Sequence, residues 1–512
     1  MSEPAVGTPI IIDIGSAYVK VGYAGDSEPR FIFPCITGTE KYQTVMVDVN
    51  ARNLYVGKDA MKMRGVLKLE RPIERGQIQD WNDYYEILNH IFYNLLRLES
   101  VSDYPVIYIE HPFVPNETKE YIARVLFETH NVKSLVMVPS PLLSIFSVGL
   151  TTGLVVESGD GVTWVVPIVN GQIMTQATQR LYLAGEDVNH NFKSLLMREG
   201  INLGASALQQ IIQEIKEKNC YIVLDPNNPN KTADALEYSM PDGSIVKIPN
   251  RVLYEAPEVL FQPGMLGYNV MNIPQATIYS LQMMDQNYWG ELLSHVILSG
   301  GNLSYSGFEE RFKQDLKNSL SQLGPIPKPI SEQEIENQAK QGLQPVQGKA
   351  KQTDTCPQCG ELVDLSENKE FCPHCGAKMK VPEISIDLNM GKKEGKKNKE
   401  KPEKLVCPHC DKEIADETSK FCPYCGKNVP AEPDVEAVEE MVKQAPEAEE
   451  FSGVYDESEE IINFFIPDNL QTAIFNGASI LGSLPSFKEL FITKTEFESN
   501  KDLLYRDISE IL

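Results

Sequence analysis

Outside one short stretch the chain has almost no cysteine: Cys35 and Cys220 stand alone, and the other eight of its ten fall between Cys356 and Cys425. A disulfide-stapled miniature is excluded, because 512 residues are ample to bury a real core. No run approaches the ~18 apolar residues of a membrane span. The N-terminus MSEPAVGTPI lacks both the basic start and the apolar stretch of a signal peptide. A soluble protein of a reducing, cytoplasmic compartment is expected, so the clustered cysteines need an explanation other than disulfides. Positive charge is also scarce: 47 Lys+Arg against 72 Asp+Glu give −25, the wrong sign for coating nucleic acid or anionic lipid with the whole surface. A hydrophobic content of 42% excludes wholesale disorder.

From about Gly324 the text becomes PIPKPISEQEIENQAKQGLQPVQGKAKQTDT, rich in Pro, Gln, Lys and Gly without helical or strand period, which reads as a linker. Between the two cysteine clusters, residues 391–404 carry seven Lys and three Glu, a net +4. Residues 431–460 carry twelve acidic side chains and one Lys, a net −11, so nearly half of the formal charge sits in a tail-like segment. Setting aside residues 326–460 leaves 377 that read as ordered α/β. PIIIDIG and YVKVGYA predict a hairpin, Asp83 to Leu98 a helix, PVIYIEH a strand, Glu117 to Thr129 a helix and SLVMV a strand. After the insertion IINFFIP and the amphipathic TAIFNGASILGSL resume the pattern.

Two strand-turn-strand signatures share one chemical logic. Asp13-Ile14-Gly15-Ser16 and Glu157-Ser158-Gly159-Asp160-Gly161 lie 144 residues apart, each between β-type segments. A turn glycine lets backbone N–H groups approach a polyphosphate, a hydroxyl adds a donor, and an acid can hold the water shell of Mg2+. Taken singly, either hairpin also reads as an ordinary β-turn.

These residues stand inside longer passages, among them VGYAGDSEPRFIFPCITG, RPIERGQIQDWNDYYEILNHIFYNLLR, LTTGLVVESGDGVTWVVPIVNG, IKEKNCYIVLD, VILSGGNLSYSGFEERF and NGASILGSLPSFKELFITKTEF. In that order they resemble actin, over almost the whole of the 377 residues. The resemblance implies an α/β actin fold: duplicated ribonuclease H-like halves around an ATP/Mg2+ cleft. The first half would be 1–148 with 474–512 returning to it, the second 149–325 with 461–473, and the insertion 326–460. By position, the resemblance assigns Asp13, Gly15, Ser16 and Lys20 to one phosphate loop and Gly159, Asp160, Gly161 and Val162 to the other. Gly185 and Glu217 fall at the ribose, Lys216 beside the base, and Gly300, Gly301 and Tyr305 at the adenine side.

The departures from the family pattern are informative. Actins orient the attacking water with a Gln and a His, whose positions hold Ser140 and Trp164 here. Serine is too short to replace the amide, and indole only donates. Glu157 stands for an Asp near the metal, Ala17 for a Gly, Ile14 for an Asn and Gln471 for a Lys near the adenine. ATP or ADP binding with slow or absent turnover is expected; the alternative is that hydrolysis persists through another residue. TGTEKYQTVMVDVNARNLYVG has the length of the actin loop that inserts into the next subunit, which favours contacts with actin or actin-like subunits. A charged insertion beside the longitudinal interface should hinder ordinary stacking through excluded volume and lost ordering entropy.

Cys356-x2-Cys359-x12-Cys372-x2-Cys375 and Cys407-x2-Cys410-x11-Cys422-x2-Cys425 are two complete four-thiolate sets. Each pair of knuckles closes a tetrahedral Zn2+ site without an open position, so two structural zinc ribbons (356–375 and 407–425) are predicted. His374 and His409 sit at x positions and are not expected to be ligands. Disulfides are the competing reading. The ribbons' partner, protein or nucleic acid, is not written in the sequence, and the Lys-rich spacer reads either as a solvated linker or as a phosphate contact. Three functions are compatible: a nucleotide-dependent scaffold that also meets actin-binding proteins, a polymerising ATPase decorated by ribbons, and a nucleic-acid-associated relative. Prokaryote-style ribbons on a eukaryote-like actin body suggest an archaeal source.

Overall fold

A computed structural model describes residues 4–41, 54–201, 208–227, 229, 234–240, 243–322, 353–355, 362–364, 461–506 and 508. The chain forms two compact units, Met1–Ile335 with Glu459–Leu512, and Glu336–Ser458.

In the larger unit the strands that build its two large sheets are β1 (Ile10–Ile14), β2 (Tyr18–Tyr23), β3 (Phe31–Pro34), β4 (Pro105–Glu110), β5 (Ser134–Pro139), β6 (Gly153–Ser158), β7 (Thr163–Val169), β8 (Gln172–Ile173), β9 (Gln179–Leu181), β10 (Val296–Ser299), β11 (Phe464–Phe465) and β12 (Ile492–Thr493); shorter strands elsewhere in the unit form three small sheets. The two large sheets are six-stranded. The first runs β12-β5-β4-β1-β2-β3; the second runs β8-β7-β6-β10-β11, with β9 also on β7. In each, an antiparallel hairpin (β1-β2, β6-β7) adjoins parallel neighbours (β4 beside β1, β10 beside β6). The α/β class and the duplication implied by the sequence are both present.

Each strand's composition follows from its place. β1, IIIDI, is buried along its length because parallel pairing on one side and covered faces leave no solvated position. Full burial of Ile10, Ile11 and Ile12 contributes about 2 kcal/mol each. The faces are covered by helices, including α1 (Trp81–Asn89), α2 (Asn116–Arg124), α3 (Ser140–Phe146), α4 (Gly185–Arg198), α5 (Leu208–Asn219) and α6 (Ala473–Ser483). Asp80 caps α1 by accepting from the Asn82 and Asp83 N–H groups. The predicted helices at 83–98 and 117–129 are α-helical to Asn89 and Arg124, then widen into π-helical turns over His90–Leu95 and Val125–Thr129.

The chain passes between the sheets twice. α3 lies between β5 and β6, and α6 between β11 and β12. These two helices cross so closely that a Cβ at Gly477 would collide with the Leu143 carbonyl. Glycine is therefore required at the crossing, and Ala there would push the two connections apart.

In the smaller unit the described residues form two short strands, Thr353–Thr355 and Leu362–Asp364, paired antiparallel. The chain between them carries Cys356 and Cys359.

Candidate functional site

The ends of the parallel strands assemble the cleft. Asp13 is one residue before the end of β1, His111 follows β4 directly, Ser140 follows β5, Glu157 is one before the end of β6, and Gly300 follows β10. Open α/β sheets bind ligands at such carboxyl ends, where the loops leave a crevice. The crevice here is a cavity of about 270 Å3, and all fourteen residues that the resemblance assigns to a nucleotide line it. Glu157 and Trp164 line it as well. Ser140 stands behind the wall and reaches the cavity only through Glu157, to which its hydroxyl donates at 2.8 Å.

At one end of the cavity the first hairpin pairs Asp13 with Lys20 across the ladder, and their side chains meet at 2.7 Å. Lys20 is thus a placed charge, not a free one. Ser16 Oγ accepts from the Gly76 N–H at 3.1 Å, which leaves its own proton to donate. In the second loop Asp160 Oδ2 accepts from Arg71 at 3.0 Å, while the Lys216 Nζ stands 3.7 Å from Oδ1. Asp160 Oδ1 is buried without a hydrogen-bond partner among the described residues. A buried carboxylate oxygen left this way suits a ligand that donates or a hydrated cation. Among the described residues no group of three or more His, Cys, Asp or Glu could hold a metal directly. That fits Mg2+, which keeps several waters and takes its remaining oxygens from phosphates and one or two carboxylates. Four carboxylates line the cavity: Asp13, Glu157 and Asp160 at the glycine turns, and Glu217 on α5.

On the opposite side Glu217 accepts from Tyr18 Oη at 3.1 Å and from Gln213 Nε2 at 3.0 Å, and Lys216 Nζ donates to the Gly185 carbonyl at 3.0 Å. Burial, reinforced by Glu217, keeps the Tyr18 phenol protonated far beyond its ordinary range. Gly300 has φ +92°, and any Cβ there would run into the Ser158 backbone. Its N–H donates to the Leu470 carbonyl at 2.9 Å. Asn302 Nδ2 donates to Ser158 Oγ at 2.9 Å, and Tyr305 Oη to Asn302 Oδ1 at 3.2 Å, so the tyrosine ring is fixed by a short chain of bonds. A Cβ at Gly301 would meet only Gln471, at 3.7 Å, which leaves a flat backbone wall.

The remaining wall departs from the family pattern. Glu157 is buried, and burial, against the hydrogen bonds from Ser140 and Ser144, lifts its carboxyl to about 7. Trp164 is buried too, edge-on to Phe113 at 5.9 Å and 5.2 Å below the Arg180 guanidinium. Its Nε1 has no partner among the described residues.

Sequence reasoning missed three residues here. Arg75, at φ +50°, forks onto Asp187 at 2.6 and 2.8 Å and reaches Glu186 at 3.2 Å, tying the Ile73–Ile78 hairpin to the start of α4. Arg71 holds Asp160, and His111 lines the cavity. Arg71 and Arg75 stand inside a passage that carries the resemblance, but neither belongs to one of the two glycine-turn motifs. Only His111 carried a signal, its place just past an apolar strand whose carboxyl end faces the crevice.

Cys35 and Cys220 are free and buried, as their isolated positions suggested, and burial pushes both thiols up to about 12. The eight predicted zinc ligands, Cys356, Cys359, Cys372, Cys375, Cys407, Cys410, Cys422 and Cys425, lie outside the described residues, as do the Lys-rich spacer, the acidic segment and residues 42–53. Among the described residues no helix is long and apolar enough to cross a membrane.

A family model described as Double zinc ribbon matches residues 356–426, which contain all eight clustered cysteines. A model described as Actin matches residues 6–340, about two thirds of the chain, and spans both glycine-turn hairpins, β10 and the loop after it. With two duplicated sheets around one glycine-lined cleft, the chain belongs to the actin family and carries a double zinc-ribbon module within it.

Proposed function

We propose that this protein is an actin-related scaffold that binds ATP or ADP with Mg2+, turns ATP over weakly, and uses its zinc ribbons to recruit a partner. One observation carries the reading: the fourteen nucleotide positions converge on one cavity, while neither water-orienting position supplies an acceptor side chain of sufficient reach there. Ser140 is spent on Glu157, and Trp164 can only donate.

Bound nucleotide supplies the phosphoanhydride; this chain's residues hold and orient it. Lys20, set by Asp13, offers charge to the phosphates, and Ser16 and the loop amides offer N–H and O–H donors. Asp160, Asp13 and Glu157 offer oxygens to the water shell of the cation. Tyr305, Gly301 and Gln471 make the base wall. The eight thiolates take two Zn2+, whose binding supplies the folding energy of the ribbons. Nucleotide state sets the cleft angle through the α3–α6 crossing and so the surface shown to partners. The insertion hinders ordinary filament growth.

Phosphate release measured together with electron microscopy, in ATP and Mg2+, tests this. Slow release independent of protein concentration, with no long filaments from the intact chain and filaments from a chain lacking residues 324–460, is expected. Long filaments from the intact chain overturn it. A polymerising reading is favoured by the exposed Tyr268, Val270, Met271, Tyr279 and Met283, gathered within one short stretch. Phosphate release that accelerates with protein concentration would support that reading.

A further inference from the structure

The cleft has lost an acceptor at one wall and holds one at another. His111 lines the cavity one residue beyond β4. A Cβ on Gly76 would lie 3.3 Å from His111 Cδ2, 3.5 Å from Nε2 and 3.5 Å from Val162 Cγ2. The Gly76 N–H in turn donates to Ser16 Oγ. The Nε2 edge of the imidazole therefore sits where the two phosphate loops, one containing Ser16 and the other Val162, come together. Phe113, two residues on, packs against Trp164, so the segment that carries His111 is braced by the indole that took the family histidine's place.

The ring is also chemically free. Nδ1 is buried without a partner, and no hydrogen bond joins either ring nitrogen to another described residue. A core histidine held for packing alone usually has its buried nitrogens satisfied. The charged groups around it are Asp13 on β1, Lys20 on β2, Glu157 on β6 and Arg180 on β9. Asp13 is paired with Lys20, Glu157 is held by Ser140, and the preceding Glu110 is paired with Lys119 at 2.5 Å. Burial is the largest influence on the ring; Arg180 and Lys20 add to it, and Asp13 opposes it. The net effect holds the imidazole below its ordinary value, neutral at pH 7. A neutral imidazole keeps one lone pair that can accept a proton.

Resting on the nucleotide reading above, we propose that His111 is the catalytic base of a slow nucleoside-triphosphate hydrolysis, the role having moved from β7 to the end of β4. Nε2 takes a proton from a water as the water oxygen bonds to the γ-phosphorus. The bond from that phosphorus to the β,γ-bridging oxygen breaks, its electron pair leaving with the nucleoside diphosphate. The imidazolium returns its proton to the released phosphate or to solvent. One water is consumed, and no oxidant or reductant is needed.

The test uses the full chain with ATP and Mg2+, comparing wild type, His111→Ala and His111→Gln. A general base contributes typically 10²–10⁴-fold, so kcat is expected to fall at least about tenfold, with ATP affinity, read from Trp fluorescence, unchanged within about twofold. The wild-type rate should rise with pH through an ionisation of His111 that both variants lose, while the Glu157 carboxyl, lifted to about 7 by burial, leaves the same dependence in all three chains. A second readout does not depend on turnover: in ¹⁵N-histidine spectra of the seven histidines, the resonance missing from His111→Gln should shift when ADP, Mg2+ and beryllium fluoride are added. Should His111→Ala fail to fold, His111→Gln and the spectra decide the matter. An unchanged kcat and pH profile in a variant that binds ATP overturns the proposal, as does a wild type that binds ATP without hydrolysing it, and both leave the nucleotide reading standing. A wild type that binds no nucleotide overturns the nucleotide reading itself.

Discussion

The two glycine-turn hairpins on the cavity are built on one plan. In each, the residue pair one step before the end of the ladder is separated by seven positions: Asp13 faces Lys20, and Glu157 faces Trp164. Each hairpin also has a parallel strand beside it and a glycine turn over the cavity. Their side chains have diverged. The first pair is an acid and a base in contact at 2.7 Å, both on the cavity wall. The second is a buried carboxyl whose partner across the strand is an indole, so its hydrogen bonds come from α3 instead, through Ser140 and Ser144. The first hairpin thus sets a placed cation beside its glycine turn, whereas the second sets a buried carboxyl beside an indole that can only donate.

Substitutions can break this contrast or sharpen it. The largest effect is expected from Lys20→Ala, which removes the phosphate-side charge and leaves Asp13 unpaired. At roughly 2–3 kcal/mol for charge-assisted bonds, ADP–Mg2+ affinity should fall about a hundredfold by calorimetry, while Trp164→Phe should change it less than about threefold. Equal losses would mean that the two hairpins share the work of binding. Next, Ser140→Gln with Trp164→His restores the family pair, and single-turnover phosphate release should rise at least about tenfold. No rise would place the block elsewhere in the cleft.

A smaller effect concerns Glu157. Its carboxyl titrates near 7 in the folded chain, above the ordinary 4.5, so the folded state favours the protonated form. The stability it contributes is fully present below about pH 4.5 and is lost as pH rises through 7. The nucleotide-free protein should therefore lose several degrees of Tm from this group between pH 5 and 8, by scanning calorimetry. Glu157→Gln should flatten that slope, and an unchanged slope would mean the carboxyl is not buried in solution. The smallest effect is expected from zinc removal. A zinc-selective chelator should release two Zn2+ per chain and unfold the ribbons, with the Tm of the larger unit moving by less than about 1 °C. A larger shift would show that the module stabilises the actin body.

Much of the fold was legible because its signals are local. PIIIDIG and GLVVESGDG read as strands entering glycine turns from a few residues each, and the eight cysteines announce their ribbons by spacing alone. The helices at 83–98 and 117–129 were placed correctly but not their π-helical ends, because hydrophobic spacing does not distinguish one wide turn from the next. That the two glycine turns would meet at one cavity was legible in the loop motifs, which are local. The cleft was not legible at Arg71, Arg75 and His111, each of which acts on a partner far away in the chain: Arg71 on Asp160, Arg75 on Asp187, and His111 beside Gly76.

The sequence alone established an actin-family body interrupted by a cysteine-paired module, two glycine turns, and serine and tryptophan at positions 140 and 164, where the resemblance implies glutamine and histidine. Those are properties of residue type and order, and local pattern suffices to state them. Tertiary packing was needed to turn Ser140 onto Glu157, to leave an Asp160 oxygen without a hydrogen-bond partner among the described residues, and to stand a histidine with no described hydrogen-bond partner where the two glycine-turn hairpins meet. The physical reason is that a cleft is made of strand ends. Parallel pairing across helical connections brings together residues that no sequence window contains, and burial there gives each carboxyl or imidazole its charge state.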